Sequence, residues 1–341
     1  MNPETSVMPL PSRADCAAAA RALITAQGHS VHDLTSARWL AGSASHLHLA
    51  FDLDWTPVDA ARRRTPMVLR LETPGLLTAT QRARECQVLA AVRECLPVPR
   101  LYACDEAGAV LPRPGLICAL VPGVVPGDDV GAGFVDELAA GLARVHALPL
   151  QGDTGSALAA LPPGTVAASQ LLERWEQLRA AADCEAVPLL ELAGAWLRAE
   201  MPHCRQPVLL HGDLHAGNCL VDSRDGHLSA LLDWEMSFVG DHHFDLAGLS
   251  LPGWSEAKGR TAGLDPARFC AAYAAAGGLP LDPVALRYYE VLVVWARCIL
   301  LHAVSWRCAL QSDSHAQARL AWMTGRSYPL MAQLSALLAR A

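Results

Sequence analysis

The sequence predicts an α+β protein of two lobes, a small antiparallel-sheet lobe over residues 1–121 and a larger, mainly helical lobe over residues 122–341. Three observations lead there. At 341 residues the chain is long for one core and suited to two, since domains hold about 100 to 200 residues. The first third carries short apolar runs of strand character, whereas apolar residues beyond Phe134 recur at helical spacing. Between the two stands Pro122-Gly123-Val124-Val125-Pro126-Gly127, whose punctuation breaks both periodicities and suits a hinge.

An opening helix is expected around Ala17 to Gln27. Leu47 to Phe51 alternates and Met67 to Leu71 is short and apolar, so both fit strands, with Asp54 to Arg64 as an exposed loop between them. Thr80 to Glu94 sets Ala83, Val88, Leu89 and Val92 on one helical face, and Pro97 and Pro99 end it. Gly115 to Val121 is a further apolar run. In the second lobe, helical spacing marks Phe134 to Val145, Leu171 to Ala182, Pro188 to Glu200, Val284 to Val304 and Leu330 to Leu338. Because Val291 to Val304 contains Arg297 and is short for a bilayer, it reads as a buried helix, and no membrane partner is expected.

Hydrophobic residues make up 52% of the chain and charged ones 18%, the balance of a protein that buries a substantial core. The formal net charge is −7 and no Lys/Arg tract occurs, which argues against nucleic acid as a partner. Eleven cysteines without a CxxC pair read as reduced core thiols, and the prolines and Glu4 near the start do not form a secretory leader, so a cytoplasmic protein is expected. Lys258 is the only lysine.

Chemistry concentrates between Val208 and Leu249. The apolar runs Val208-Leu209-Leu210 and Cys219-Leu220-Val221 flank a polar loop from His211 to Asn218, and Leu231-Leu232-Asp233-Trp234-Glu235 follows. That pattern presents Asp213, Asn218 and Asp233 within reach of one another. Phosphoryl transfer needs an aligned hydroxyl and Mg²⁺ held by oxygen ligands, which two aspartates and an asparagine supply. With an ordinary carboxylate pKa of about 3.9, Asp213 would chiefly orient the hydroxyl and accept its proton late. A polar turn with two capping carboxylates is the plainer alternative, but it leaves the joint spacing unexplained. His211, Asp213, His215, His242 and His243 form a competing set of zinc ligands for a hydrolase, a reading that uses neither Asn218 nor the Leu-Asp-Trp-Glu stretch.

His211-x-Asp213-x-x-x-x-Asn218 followed by Leu232-Asp233-Trp234-Glu235 resembles the signature of the aminoglycoside phosphotransferase and choline kinase superfamily, whose fold is similar to that of protein kinases. Gly240-Asp241-His242-His243-Phe244-Asp245-Leu246-Ala247 resembles the family's Gly-Asp-Pro-x-x-Asp-Leu-Ala stretch. The resemblance implies Asp213 as catalytic base, Asn218 and Asp233 as Mg²⁺ ligands, and His211, His215, Asp241 and Asp245 as supports. It also implies ATP or GTP as donor and a small-molecule hydroxyl as acceptor. In the first lobe, Ala41 to His46 resembles the family's phosphate loop, with Gly42, Ser43 and Ser45 toward the nucleotide phosphates. Met67-Val68-Leu69-Arg70 stands where the family places a phosphate-binding lysine, with Glu85 as its partner. Since Lys258 lies in the other lobe, Arg70 has to serve, and its planar fork can bind phosphate bidentately.

Val-Leu-Arg at this strand and Tyr288-Tyr289-Glu290-Val291 resemble the hydroxyacyl kinases linked to acyl-CoA dehydrogenases. Acceptor expectations therefore divide between an antibiotic, in a resistance or self-resistance role, and a hydroxyacyl thioester or other metabolite. Candidates to line the acceptor pocket are Glu235, His242, Trp254, Tyr289 and Arg297. Aminoglycosides are polycations that demand an acidic pocket, so the modest charge suits a neutral or nucleoside-like acceptor as well. The missing lysine supports one reading of another class, a nucleotide-binding pseudokinase without turnover. A monomer or homodimer is expected.

Overall fold

The computed structural model describes residues 10–40, 46–73, 82–127, 132–150, 168–249, 264–310, 325 and 327–340; Gly42, Ser43, Ser45 and Trp254 lie outside them. Helix α1 (Arg13–Ala26) begins at Ser12, whose hydroxyl accepts from the Asp15 N–H at 3.1 Å. Strands β1 (Ser30–Leu40), β2 (His46–Thr56), β3 (Arg63–Glu72), β4 (Leu101–Asp105) and β5 (Gly115–Ala119) form one antiparallel sheet in the order β1-β2-β3-β5-β4. Helix α2 (Arg82–Val92) connects β3 to β4.

The exposed hairpin loop expected at Asp54 to Arg64 is shorter than the sequence suggests. Asp54 pairs with Arg64 and Trp55 with Arg63, so the strands run to Thr56 and from Arg63 and leave residues 57–62 as the connection. Those ends are polar because one face is solvated, where Arg62 meets Asp54 at 2.6 Å and Arg64 meets Asp52 at 3.2 Å. Strand β1 escaped the sequence reading for a related reason. Ser36 takes φ +58° and the register with β2 shifts between Thr35 and Arg38, which interrupts the two-residue alternation.

The rest of the chain is α3 (Ala132–His146), α4 (Ala168–Ala181), α5 (Pro188–Ala199), β6 (Val208–Leu210), β7 (Cys219–Val221), β8 (Leu228–Leu231), β9 (Phe238–Gly240), α6 (His243–Gly248), α7 (Pro266–Ala275), α8 (Pro283–Leu310) and α9 (Ser327–Leu338). Strand β6 pairs with β9, and β7 with β8, both antiparallel. The unbroken apolar run of β6 has a packing cause. Leu209 joins a core with Phe134, Leu138 and Leu142 of α3, while Val208 and Leu210 join another with Val294, Trp295 and Ile299 of α8. Val88, Leu89 and Val92 of α2 also enter the α3 core, and Val124 exchanges two 2.9 Å hydrogen bonds with Val221. The sheet is thereby fastened to the segment that carries the polar loop. Among the described residues, no helix is long and apolar enough to cross a membrane.

Candidate active site

Strand β6 delivers the loop that begins at His211, and a buried carboxylate holds it from behind. Asp245 of α6 accepts from the His211 N–H at 2.7 Å and from the Gly212 N–H at 2.9 Å. Burial alone would raise the Asp245 pKa, but hydrogen bonds from His146 and the Gly212 N–H hold it below the usual carboxylate value. His146, the last residue of α3, lies 3.4 Å from Asp245 through Nε2 and 2.8 Å from the Tyr273 hydroxyl through Nδ1. Gly212 takes φ +82°, and a Cβ there would stand 2.2 Å from the Met236 carbonyl oxygen. His211 fixes the loop to the second motif: Nε2 donates to the Leu232 carbonyl at 2.7 Å and Nδ1 accepts from the Asp213 N–H at 3.2 Å. Those partners require the neutral ring, consistent with burial pushing its pKa down.

The amide of Asn218 donates from Nδ2 to the Asp213 carbonyl at 2.9 Å and comes within 3.4 Å of Asp213 Oδ2. Leu232 N–H donates to the Asn218 carbonyl at 2.7 Å, which ties β8 to the same loop. Asp233 then turns into the left-handed region, φ +66° and ψ +56°, a conformation that costs a non-glycine residue about 1 kcal/mol or more. Its carboxylate stays one-third exposed and meets Arg70 of β3, Nη2 to Oδ1 at 3.0 Å. Arg70 Nη1 donates to Glu85 of α2 at 2.6 Å. Although burial opposes it, the charges of Glu85, Asp233 and Glu235 raise the Arg70 pKa, so the guanidinium is permanently charged. Its Nε is buried without a hydrogen-bond acceptor among the described residues, a donor available to an anion.

Asp213, Asn218, Asp233, Arg70 and Glu85 thus form one connected constellation, with His211 and Asp245 behind it. His215 lies 3.7 Å from Asp213 Oδ2, and burial pushes its pKa down to about 4. Arg297 of α8 forms an ion pair with Asp213 Oδ1. The other described candidates for the acceptor pocket have partners of their own. Glu235 faces the sheet, where it pairs with buried His46 at the start of β2 at 3.2 Å. His242 is buried and hydrogen-bonded through Nε2 to the Pro280 carbonyl at 3.1 Å. Tyr289, 1% exposed, stacks in the interior beside His243.

Asp241, His242 and His243 are the only His, Cys, Asp or Glu group among the described residues whose ligand atoms lie within 4.8 Å of one another. Hydrogen bonds occupy them: Asp241 accepts from His243 Nδ1 at 2.6 Å, and His243 Nε2 accepts from the Asp282 N–H at 2.9 Å. Asp241 therefore braces the approach to α8. The zinc set of His211, Asp213 and His215 does not assemble, because His211 spends both ring nitrogens on the backbone. His46 closes the phosphate-loop stretch in the sequence, but nothing local marks it as the partner of Glu235.

The profile of the phosphotransferase enzyme family matches residues 56–289. Acyl-CoA dehydrogenase family member 10 of Mus musculus is 25% identical over 192 residues, 53% of this chain and 18% of that protein. Viomycin phosphotransferase of Streptomyces vinaceus is 30% identical over 166 residues, 44% of this chain and 54% of its own. The chain thus spans about half or less of these relatives' lengths. A solved Ralstonia eutropha JMP134 structure, provisionally assigned as an aminoglycoside phosphotransferase, superposes with a TM-score of 0.65 at 19% identity, over 93% of this chain and 97% of that one.

Proposed function

Given that the chain belongs to the phosphotransferase enzyme family and is a small-molecule phosphotransferase, we propose that it moves the γ-phosphoryl group of ATP or GTP onto an acceptor hydroxyl held at Asp213. One observation carries the reading: Asp233, Arg70 and Glu85 converge from three elements, beside the loop on which Asn218 is bonded to Asp213. Arg70 makes the carboxylate contact expected of the absent lysine and keeps a donor for phosphate, which favours turnover over a pseudokinase.

The donor set of Asn218 and Asp233 suits a magnesium ion, being hard oxygen ligands beside a half-open cleft. Asn218 directs its Nδ2 at the Asp213 carbonyl, which leaves its amide oxygen for the cation, and one Asp233 oxygen is not taken by Arg70. Magnesium, when bound, supplies charge neutralisation for the nucleotide phosphates. Asp213 aligns the acceptor hydroxyl and takes its proton as the bond to phosphorus forms, Arg70 holds phosphate oxygens, and Glu85 orients Arg70.

Similarity to viomycin phosphotransferase supports an antibiotic acceptor, and similarity to the acyl-CoA dehydrogenase family members supports a metabolite. Free thiols throughout the described residues suit a reducing cytoplasm. Incubation of the protein with magnesium and γ-labelled ATP or GTP over a panel of hydroxylated antibiotics, sugars, nucleosides and hydroxyacyl thioesters tests the reading. Label should pass to an acceptor in an Asp213-dependent manner; hydrolytic activity with bound zinc and no nucleotide requirement would overturn it.

A further inference from the structure

We infer that Tyr273 and His146 are positioning residues for the transfer step: through an ordered chain of hydrogen bonds they fix the Asp245 carboxylate, which sets the backbone immediately before Asp213. The inference rests on the phosphotransfer reading and adds to it a source of loop alignment on α7, outside the loop's own motif.

The chain starts on α7. Tyr273 is fully buried, in the core that also holds Val145 of α3, Leu209 of β6 and Leu214 of the loop. Its ring fills the space beside Gly278, where a Cβ would stand 2.3 Å from Cε1, so the backbone can turn back past the ring only as glycine. That return brings the Leu279 N–H to the Tyr273 oxygen at 3.1 Å. The oxygen accepts there, and its one hydrogen is left for His146 Nδ1 at 2.8 Å. Burial pushes the Tyr273 pKa up to about 12, so the hydroxyl keeps that hydrogen.

At the far side of the ring the direction is set independently. Asp245 is ionised and a carboxylate only accepts, so its 3.4 Å contact with His146 requires a proton on Nε2. In the neutral ring Nδ1 is then bare and takes the tyrosine hydrogen. Neighbours on two sides thus demand the same tautomer. Oδ2 of Asp245 receives both His146 and the His211 N–H, the latter at 2.7 Å, while Oδ1 receives the Gly212 N–H at 2.9 Å. The plane of the carboxylate therefore follows the His146 ring, and the backbone of His211 and Gly212 follows the carboxylate. Helix α6 sits so closely on the loop that a Cβ at Gly248 would stand 2.7 Å from the Leu214 carbonyl oxygen, so a shift of Asp245 passes on to Asp213. Asp213 acts by aligning a hydroxyl, and misplacement by about 1 Å costs such a step about 100-fold.

Three variants test the inference: Tyr273→Phe removes only the hydroxyl, His146→Leu removes both ring nitrogens, and His146→Gln keeps an N–H for Asp245. Each is followed with Mg-ATP as the only substrate, by nucleoside diphosphate release to water and by calorimetric ATP titration, and in urea denaturation. Tyr273→Phe should lower kcat about 10-fold and His146→Leu about 100-fold with the ATP Kd unchanged, and His146→Gln should recover most of the loss. Without nucleotide, ¹⁵N-histidine NMR should show a bare Nδ1 and a protonated Nε2 for the ring that disappears in His146→Gln. Amide exchange at His211 and Gly212 should quicken in Tyr273→Phe more than elsewhere in the backbone. A protonated, uncharged Nδ1 tautomer in the wild type would overturn the inference, as would unchanged exchange at those two amides or equal kcat in His146→Gln and His146→Leu. So would a Tyr273→Phe protein that loses urea stability but keeps its kcat, the behaviour of packing alone. A wild type that binds no Mg-ATP would remove the phosphotransfer reading and the inference with it, whereas turnover indifferent to Tyr273 and His146 would remove the inference alone.

Discussion

At the scale of single residues, the reaction depends on Asp213 far more than nucleotide binding does, because Asp213 touches Asn218, His215 and Arg297, which all lie outside the five-stranded sheet. Asp213→Ala should lower kcat by about 10³-fold, within the usual range for a lost general base, while the nucleotide Kd measured by calorimetry changes little. Retained turnover would take the base role from it. Arg70 has the opposite profile. It uses Nη1 for Glu85 and Nη2 for Asp233 at once, which a single ammonium cannot reproduce. Arg70→Lys should weaken nucleotide binding about 10-fold and Arg70→Ala about 100-fold, and equal affinities in the two variants would place Arg70 outside the phosphate site. The constellation was legible where its members are neighbours in sequence, as in His211 to Asn218, and where counting lysines left Arg70 to stand in the lysine's place. The partner of Arg297 was not legible, since α8 had to be packed before one of its faces met Asp213.

At the scale of elements, the loop is held by geometry that tolerates no side chain at its second position. The β6–β9 ribbon brings the Met236 carbonyl against Gly212, whose φ of +82° and 2.2 Å Cβ clearance both exclude alanine. Gly212→Ala should lower the urea-unfolding free energy by about 2–4 kcal/mol and reduce kcat as well, because the displaced backbone carries Asp213. An unchanged urea midpoint would show that the strand pair yields. Element boundaries were less readable than element existence. The apolar cores of β2 and β3 stood out, but their polar ends around Asp54 and Arg64 look like a loop until their cross-strand pairing is known. Strand β1, with a bulge and an exposed face, had no period to detect.

At the scale of the whole molecule, burying neutral histidines makes stability depend on pH. His215 is held at about 4 by burial, although the charge of Asp233 opposes that shift, and His211 is lowered for the same primary reason. In the unfolded chain both take up protons near pH 6.5. Their folded pKa values lie below the unfolded one, so their contribution is complete above pH 6.5 and is lost as pH falls through the folded values. For His215 the loss between pH 6.5 and pH 4 amounts to about 3 kcal/mol. Asp245 acts in the same direction at lower pH: its pKa is also depressed, so its contribution is present above about pH 4 and fades as the carboxylate protonates and releases the His211 and Gly212 amides. Urea denaturation at a series of pH values from 8 to 4 should therefore show a falling midpoint that begins well above the carboxylate range, and His215→Gln should flatten the slope between pH 6.5 and 4 even if it lowers the midpoint at every pH. A midpoint constant down to pH 4.5 would mean that His215 is already protonated in the folded protein. The ring beside Asp213 would then be an imidazolium, a second cation beside the Arg297 guanidinium against that carboxylate.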